Sequence, residues 1–176
     1  EALTTALARH FWITSHPVDP GDPLPGVHRA LADLARRGAE AMVFGLYAGG
    51  AAVLALELND PTTTQALLAE GHAPAFANLD VAVLHRLVVE GVLGVPAATQ
   101  ADDSIRYTRD AAQAIAEVAA GTASVALFLN PPRVEQVQAV AMAGERMPQK
   151  STYFYPKVLG GLVINPLDAA EVPGGV

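Results

Sequence analysis

The sequence has no cysteine, which removes disulfides, thiol catalysis, iron–sulfur clusters and thiolate zinc sites together. It has no apolar run near the ~20 residues that a membrane-spanning helix needs, and no signal-peptide pattern opens it. His-x-x-x-His and Glu-x-x-His spacings are absent, and His10, His16, His28 and His72 stand apart from any metal-like pattern, so no metal is expected. Gly-x-Ser-x-Gly is missing too. The pair Gly49-Gly50 joins two strand-like runs, the wrong context for a dinucleotide loop. Positive charge is scarce: 11 basic residues face 18 acidic ones, a net −7. That balance disfavours a surface that attracts DNA or acidic lipid in general, while leaving room for a local basic patch.

What is present is a globular composition. Hydrophobic residues make up 51% of the 176 residues and charged ones 16%, which excludes general disorder. A chain of this length holds one core, burying roughly 70% of its unfolded surface. The expectation is a single α+β domain over residues 1–165 with a loose tail over 166–176, where Pro166, Pro173, Gly174 and Gly175 fall. Glu1 stands where a Met would begin a chain, which reads as a piece of something longer.

Periodicity places the elements. Leu3, Leu7 and Phe11 suit a helix over 1–12. Pro17, Pro20, Pro23 and Pro25 make a loop of 16–26. Val27, Leu31 and Leu34 predict a helix that Gly38 stops in the left-handed conformation. The runs 41–47 and 52–58 around Gly49-Gly50 predict a β-hairpin. A short helix over 62–70 and another over 80–90, capped by Asp80 and buried along Val81, Leu84 and Val88, come next. A strand at 105–107, a helix at 110–120 closed by Gly121 and a strand at 125–129 would form a parallel βαβ unit. Asn130 caps a helix that opens on Pro131 and Pro132, turns Val134, Val137 and Ala141 inward and ends at Gly144. Strands at 151–155 and 159–164 complete a mixed sheet with helices packed on it.

One segment concentrates chemistry. Both lysines of the chain, Lys150 and Lys157, fall in Gly144–Lys157 together with Arg146, Ser151, Tyr153, Phe154 and Tyr155. Strand alternation puts Ser151, Tyr153, Tyr155 and Lys157 on one face. Arg146 and Lys150 precede them in the loop. Such donors suit a phosphate or carboxylate, because charge-assisted hydrogen bonds are about twice as strong as neutral ones. The alternative is an edge strand that shows tyrosines to solvent and uses lysine to discourage pairing. His85, at the border of an apolar helical stripe, is a second candidate, as a base or as a packed histidine with one satisfied N–H. Asp102-Asp103 reads as a solvated loop.

Five strings then carry a resemblance: Leu79-Asp80-Val81-Ala82-Val83-Leu84-His85, Leu93-Gly94-Val95, Phe128-Leu129-Asn130-Pro131, the whole of Gly144–Lys157, and Gly161-Leu162-Val163-Ile164-Asn165. In this order they resemble the C-terminal half of the prokaryotic domain-of-unknown-function family numbered 1015, along nearly the whole chain. Gly160 departs from the pattern, standing where the family more often has threonine. The resemblance implies a full-length protein about twice this size, with an upstream Asp-Gly-His-His-Arg box similar to that of ParB-like folds. It also implies phosphoserine-related chemistry, from the neighbourhood of serine-biosynthesis genes. The upstream box is not in this chain, so catalysis is left unassigned and this piece would supply a second wall of a site.

The functional expectation is therefore an accessory domain of a cytoplasmic metabolic enzyme, holding a small phosphorylated or carboxylate anion with Arg146, Lys150, Ser151, Tyr153, Tyr155 and Lys157. Its expected partner is the missing N-terminal half. The alternative is a structural or homo-oligomerisation domain without a ligand. A nucleic-acid-binding module ranks last and a membrane partner is not expected. The sequence names no cofactor, substrate, reaction or oligomeric state.

Overall fold

The computed structural model describes residues 2–69, 71–96 and 104–152. It is an α+β fold built on a four-stranded sheet in the order β1-β3-β2-β4. The elements are α1 Ala2–Leu7, β1 Phe11–Pro17, α2 Leu24–Arg37, β2 Val43–Tyr47, β3 Ala52–Leu58, α3 Pro61–Leu68, α4 Pro74–Ala77 and α5 Asp80–Leu84. A π-helix His85–Val92 continues α5, and α6 Ala111–Ala119, β4 Ala126–Phe128 and α7 Val134–Met142 follow. No helix among the described residues is long and apolar enough to cross a membrane.

The hairpin forms as its sequence predicts. β2 and β3 pair antiparallel, with Leu46 opposite Leu54 and Val43 opposite Glu57. Gly49 and Gly50 take φ of 78° and 83° in the connecting loop, a region that side chains with a Cβ disfavour. The other two strands differ from expectation. β1 pairs antiparallel with β3 from Phe11–Leu58 to Pro17–Ala52, in a stretch read as helix end and proline loop. Phe-Trp-Ile-Thr is strongly β-forming, and a proline at the end of an edge strand breaks no ladder. β4 pairs antiparallel with β2, so every pairing in the described sheet is antiparallel and the parallel βαβ unit is corrected. Residues 105–107 form no strand. Arg106 is drawn instead to α6, donating to the Thr122 carbonyl and pairing with Glu117, both at 2.9 Å.

Strand alternation divides the core in two. Phe11, Phe44, Leu46, Leu56 and Leu58 pack on one face with Leu7, Val83, Leu84, Leu87 and Val88. Val43, Tyr47, Val53, Ala55, Ala126 and Phe128 pack on the other with Val27, Ala30 and Leu34 of α2 and Ile115 of α6. Helices thus cover both faces, α1, α5 and the π-helix on one and α2 and α6 on the other. At the α2 face the contact over Gly45 is close: a Cβ there would come within 2.8 Å of the Leu34 side chain and 3.1 Å of Phe128.

Polar contacts then fix how α2 lies. Asp33 pairs with Arg36 and Arg37, and Arg37 reaches Glu57 on β3. His16 Nε2 of β1, shielded from solvent and without a hydrogen bond, stands 3.4 Å from Asp33 Oδ2. Burial alone would raise the Asp33 carboxyl, but hydrogen bonds from Arg36 and Arg37 outweigh it and hold the group below its ordinary 3.8. The Arg37 guanidinium is raised, first by its hydrogen bond to Glu57.

Several helix ends also differ from expectation. Gly38 follows α2 with φ −65°, in the right-handed region and not the left-handed one. Asn130 does not cap α7: its Nδ2 donates to the Leu34 carbonyl at 3.0 Å, closing the end of α2 instead. Two consecutive prolines push the residues before them into extended conformations, so α7 begins only at Val134, where the Arg133 N–H donates to Gln136 Oε1 at 2.9 Å. Val140 is its fully buried residue, while Val134 is 72% exposed and Ala141 is also exposed. Asp80 opens α5 from inside its first turn, with Leu79 at the cap position. The helix expected over 80–90 becomes π-helical at His85, closing i→i+5 with Leu93 N–H on the Val88 carbonyl at 2.8 Å.

Gly45→Val would drive a branched side chain into Leu34 and Phe128. The expected cost is about 1–3 kcal/mol, read as a lower denaturant midpoint with little change in slope.

Candidate functional site

The segment that the sequence singles out leaves α7 through a left-handed turn. Gly144 has φ 74°, its N–H donates to Ala141 O and the Glu145 N–H donates to Val140 O, both at 3.1 Å. These are the two bonds of a Schellman motif, which glycine at this position favours. The motif directs the next residues onto α4 and α5. Glu145 Oε1 accepts from the Ala73 N–H at 2.7 Å, and Oε2 lies 3.3 Å from His72 Nδ1. The His72 ring stacks on Phe76 at 4.1 Å and 14°. Two residues on, Met147 packs against the small core of Leu79, Ala82 and Val140.

A second strap joins the start of α7 to the same place. Gln136 Nε2 donates to the Asn78 carbonyl at 3.2 Å, and its side chain also bonds Asp80. Burial raises the Asp80 carboxyl above its ordinary 3.8, partly offset by the charge of Arg133, its own backbone N–H and Gln136. α7 is therefore held at both ends, with Val140 buried between.

The loop beyond is exposed and carries the cations. Arg146 projects to solvent between the anchors Glu145 and Met147. From Pro148 to Ser151 the chain makes a four-residue turn, the Ser151 N–H and Oγ–H both donating to the Pro148 carbonyl at 3.3 and 2.5 Å. Lys150, third in that turn, has φ 61° and is the one non-glycine residue at positive φ among the described residues. A type II turn demands this sign of φ at its third position, normally from glycine or asparagine. For a residue with a Cβ the left-handed region costs roughly 1–2 kcal/mol. Neither Arg146 nor Lys150 has an ion-pair partner among the described residues.

The expected ligand residues are thus only partly brought together. Arg146 and Lys150 lie on one short, anchored loop. The Ser151 hydroxyl donates to the Pro148 carbonyl and locks the turn beside them. Tyr153, Tyr155 and Lys157, the strands at 151–155 and 159–164 and the pair Asp102-Asp103 lie wholly or mainly outside the described residues. His85 is half-buried at the start of the π-helix, its backbone N–H directed at Ala82 and Val81 carbonyls.

Sequence reasoning missed His72 and Glu145 as a pair. They are 73 positions apart, and no local spacing announces a contact of that kind. The carboxylate at Nδ1 orients the half-exposed imidazole. No cluster of three or more His, Cys, Asp or Glu able to hold a metal occurs among the described residues.

Two pH effects of opposite sign follow. The Ala73 N–H, and then His72, hold the Glu145 carboxyl below its ordinary 4.5. Its contribution to docking the loop is therefore complete above that value and is lost as pH falls through the lowered folded-state one. Thermal melts across about pH 6 to pH 3 should show Glu145→Gln lacking that part of the acid-induced loss. Asp80 is raised in the folded state, so its charged form opposes folding near neutrality. Asp80→Asn should melt above the parent at pH 7, with the gap closing as acid protonates Asp80 in the parent.

No family model matches the chain, and neither a curated protein nor a solved structure matches it.

Proposed function

We propose that this chain is an accessory, ligand-holding domain of a cytoplasmic metabolic enzyme, of the kind implied by its resemblance to the C-terminal half of the 1015 family. The loop after α7 grips a small phosphorylated or carboxylate ligand with Arg146 and Lys150, and Tyr153, Tyr155 and Lys157 complete the donor set. Catalysis belongs to the upstream half, for which this loop forms a second wall.

The observation that carries this reading is Lys150 at φ 61°. A glycine would make the same turn without strain, yet the position holds one of only two lysines in a chain of net charge −7. Strained backbone at a turn is characteristic of positions kept for what the side chain does. Glu145 and Met147 on either side of Arg146 provide the rigid base that a grip on an anion needs.

A structural reading is favoured by a different observation. Among the described residues β1 is an edge strand, with Trp12 62% exposed, and an edge bearing a large aromatic is a natural contact for the upstream half or for a second copy. Light-scattering mass of the isolated chain tests the second-copy form: a monomer at high concentration removes it.

The anion reading is tested by calorimetric titration of the chain with phosphoserine and inorganic phosphate. Lys150→Gly combined with Arg146→Ala should weaken binding about tenfold or more, the worth of one or two charge-assisted bonds. The melting temperature should hold or rise, because the strain at residue 150 is relieved. Equal affinity in parent and variant would sink the proposal.

A further inference from the structure

Helix α1 and the π-helix flank an open cleft of about 390 Å3, near the lower end of the ~300–1,000 Å3 typical of small-molecule sites. Its shape comes from the π-helix. Arg86 and Gly91 both line it, as do Leu87 and Val92, and each pair is separated by five positions, the i→i+5 repeat of this helix type. The wide turn thus stacks an arginine over a residue with no side chain, and beside them a leucine over a valine. Leu87 is 5% exposed and forms an apolar floor that Val92 extends.

Charge in the cleft is uneven. Arg86 Nη1 donates to Glu90 Oε2 at 3.1 Å, so these two largely neutralise each other. Facing them from the turn after α1 is Arg9, exposed and without an ion pair among the described residues. His10 completes that wall, its ring edge-on to Phe11 at 6.4 Å. One uncommitted guanidinium beside an apolar floor, with a carboxylate across from it, defines a narrow chemistry.

We propose that this cleft binds a monoanionic carboxylate with a short apolar body. The planar fork of Arg9 matches a carboxylate in bidentate geometry. The apolar body lies on Leu87 and Val92 and leaves water there. With Arg86 and Glu90 neutralising each other, Arg9 leaves the cleft one net positive charge, which matches a monoanion better than a phosphate dianion. The site is independent of Arg146 and Lys150 and takes a different ligand class, so either proposal can fail without the other.

The test titrates hexanoate into the isotope-labelled chain and follows amide signals, with inorganic phosphate as the counter-probe. Hexanoate should shift Arg9, His10, Gly91 and Val92 in a saturable way, and phosphate at equal concentration should leave them in place. Arg9→Ala should raise the hexanoate Kd about tenfold or more, as expected for loss of a charged hydrogen-bonding partner. Arg9→Lys, which keeps the charge and loses the fork, should fall between. Shifts centred elsewhere, failure to saturate, or an unchanged Kd in both folded variants would overturn the assignment.

Discussion

Helix α2 approaches the sheet over Gly45, a strand position with no side chain, and Leu34 occupies the space that any Cβ would need. That approach sets the rest of the α2 face. With Leu34 seated over Gly45 beside Phe128, the Leu34 carbonyl at the helix end comes within reach of Asn130, so the chain leaving β4 is fastened to α2 before it turns into α7. The same seating brings Asp33 and Arg37 over β1 and β3, where His16 and Glu57 meet them. Ion pairs of this partly exposed kind contribute about 0–1 kcal/mol each, whereas burying a leucine contributes about 1.5–3 kcal/mol. Packing decides where α2 lies, and the charges fix its orientation.

The opposite face of the sheet shows what that fastening leads to. α5 and the π-helix cover Phe44, Leu46 and Leu56, and their N-terminal approach through α4 offers a backbone N–H, a carbonyl and a small apolar patch to α7. Gln136 takes the carbonyl of Asn78, Glu145 takes the N–H of Ala73, and Val140 and Met147 fill the patch. An exposed loop normally has little to hold it. Here a carboxylate and a thioether, two positions apart, hold the backbone that presents Arg146, and the turn that presents Lys150 begins on the next residue.

Legibility in the sequence followed the range of the forces involved. The hairpin, α2, α6 and the glycine that ends α7 are local, written in periodicity and turn residues within a few positions, and the structure has them. The region 11–17 was misread because prolines after a helical spacing suggest a loop, while β1 is decided by its pairing with residues about forty positions later. The false strand at 105–107 is the converse: three β-tolerant residues with no partner to pair, claimed by the end of α6. Arg146 and Lys150 were visible as cations in an acidic chain, and the contact between His72 and Glu145 was not, since it exists only once α7 lies on α4. The π-helix left no distinguishable mark, because its apolar residues also satisfy an α-helical stripe.

The net charge of −7 gives the anion reading a physical shape of its own. At long range such a chain repels anions, so association gains nothing from steering. Beyond a Debye length, about 10 Å at 0.1 M salt, that repulsion is screened, and what remains is the local arrangement of donors. Two cations on a strained and anchored loop act within that length, where added salt weakens their attraction while it removes the general repulsion. Moderate salt should therefore speed encounter with a small anion while lowering its final affinity only slightly, the reverse of the pattern for a broad basic surface, whose affinity falls steeply with salt. On the proposed reading a loop of this kind would select its ligand by the geometry of a few donors, and Glu145 and Met147 hold the backbone that presents them.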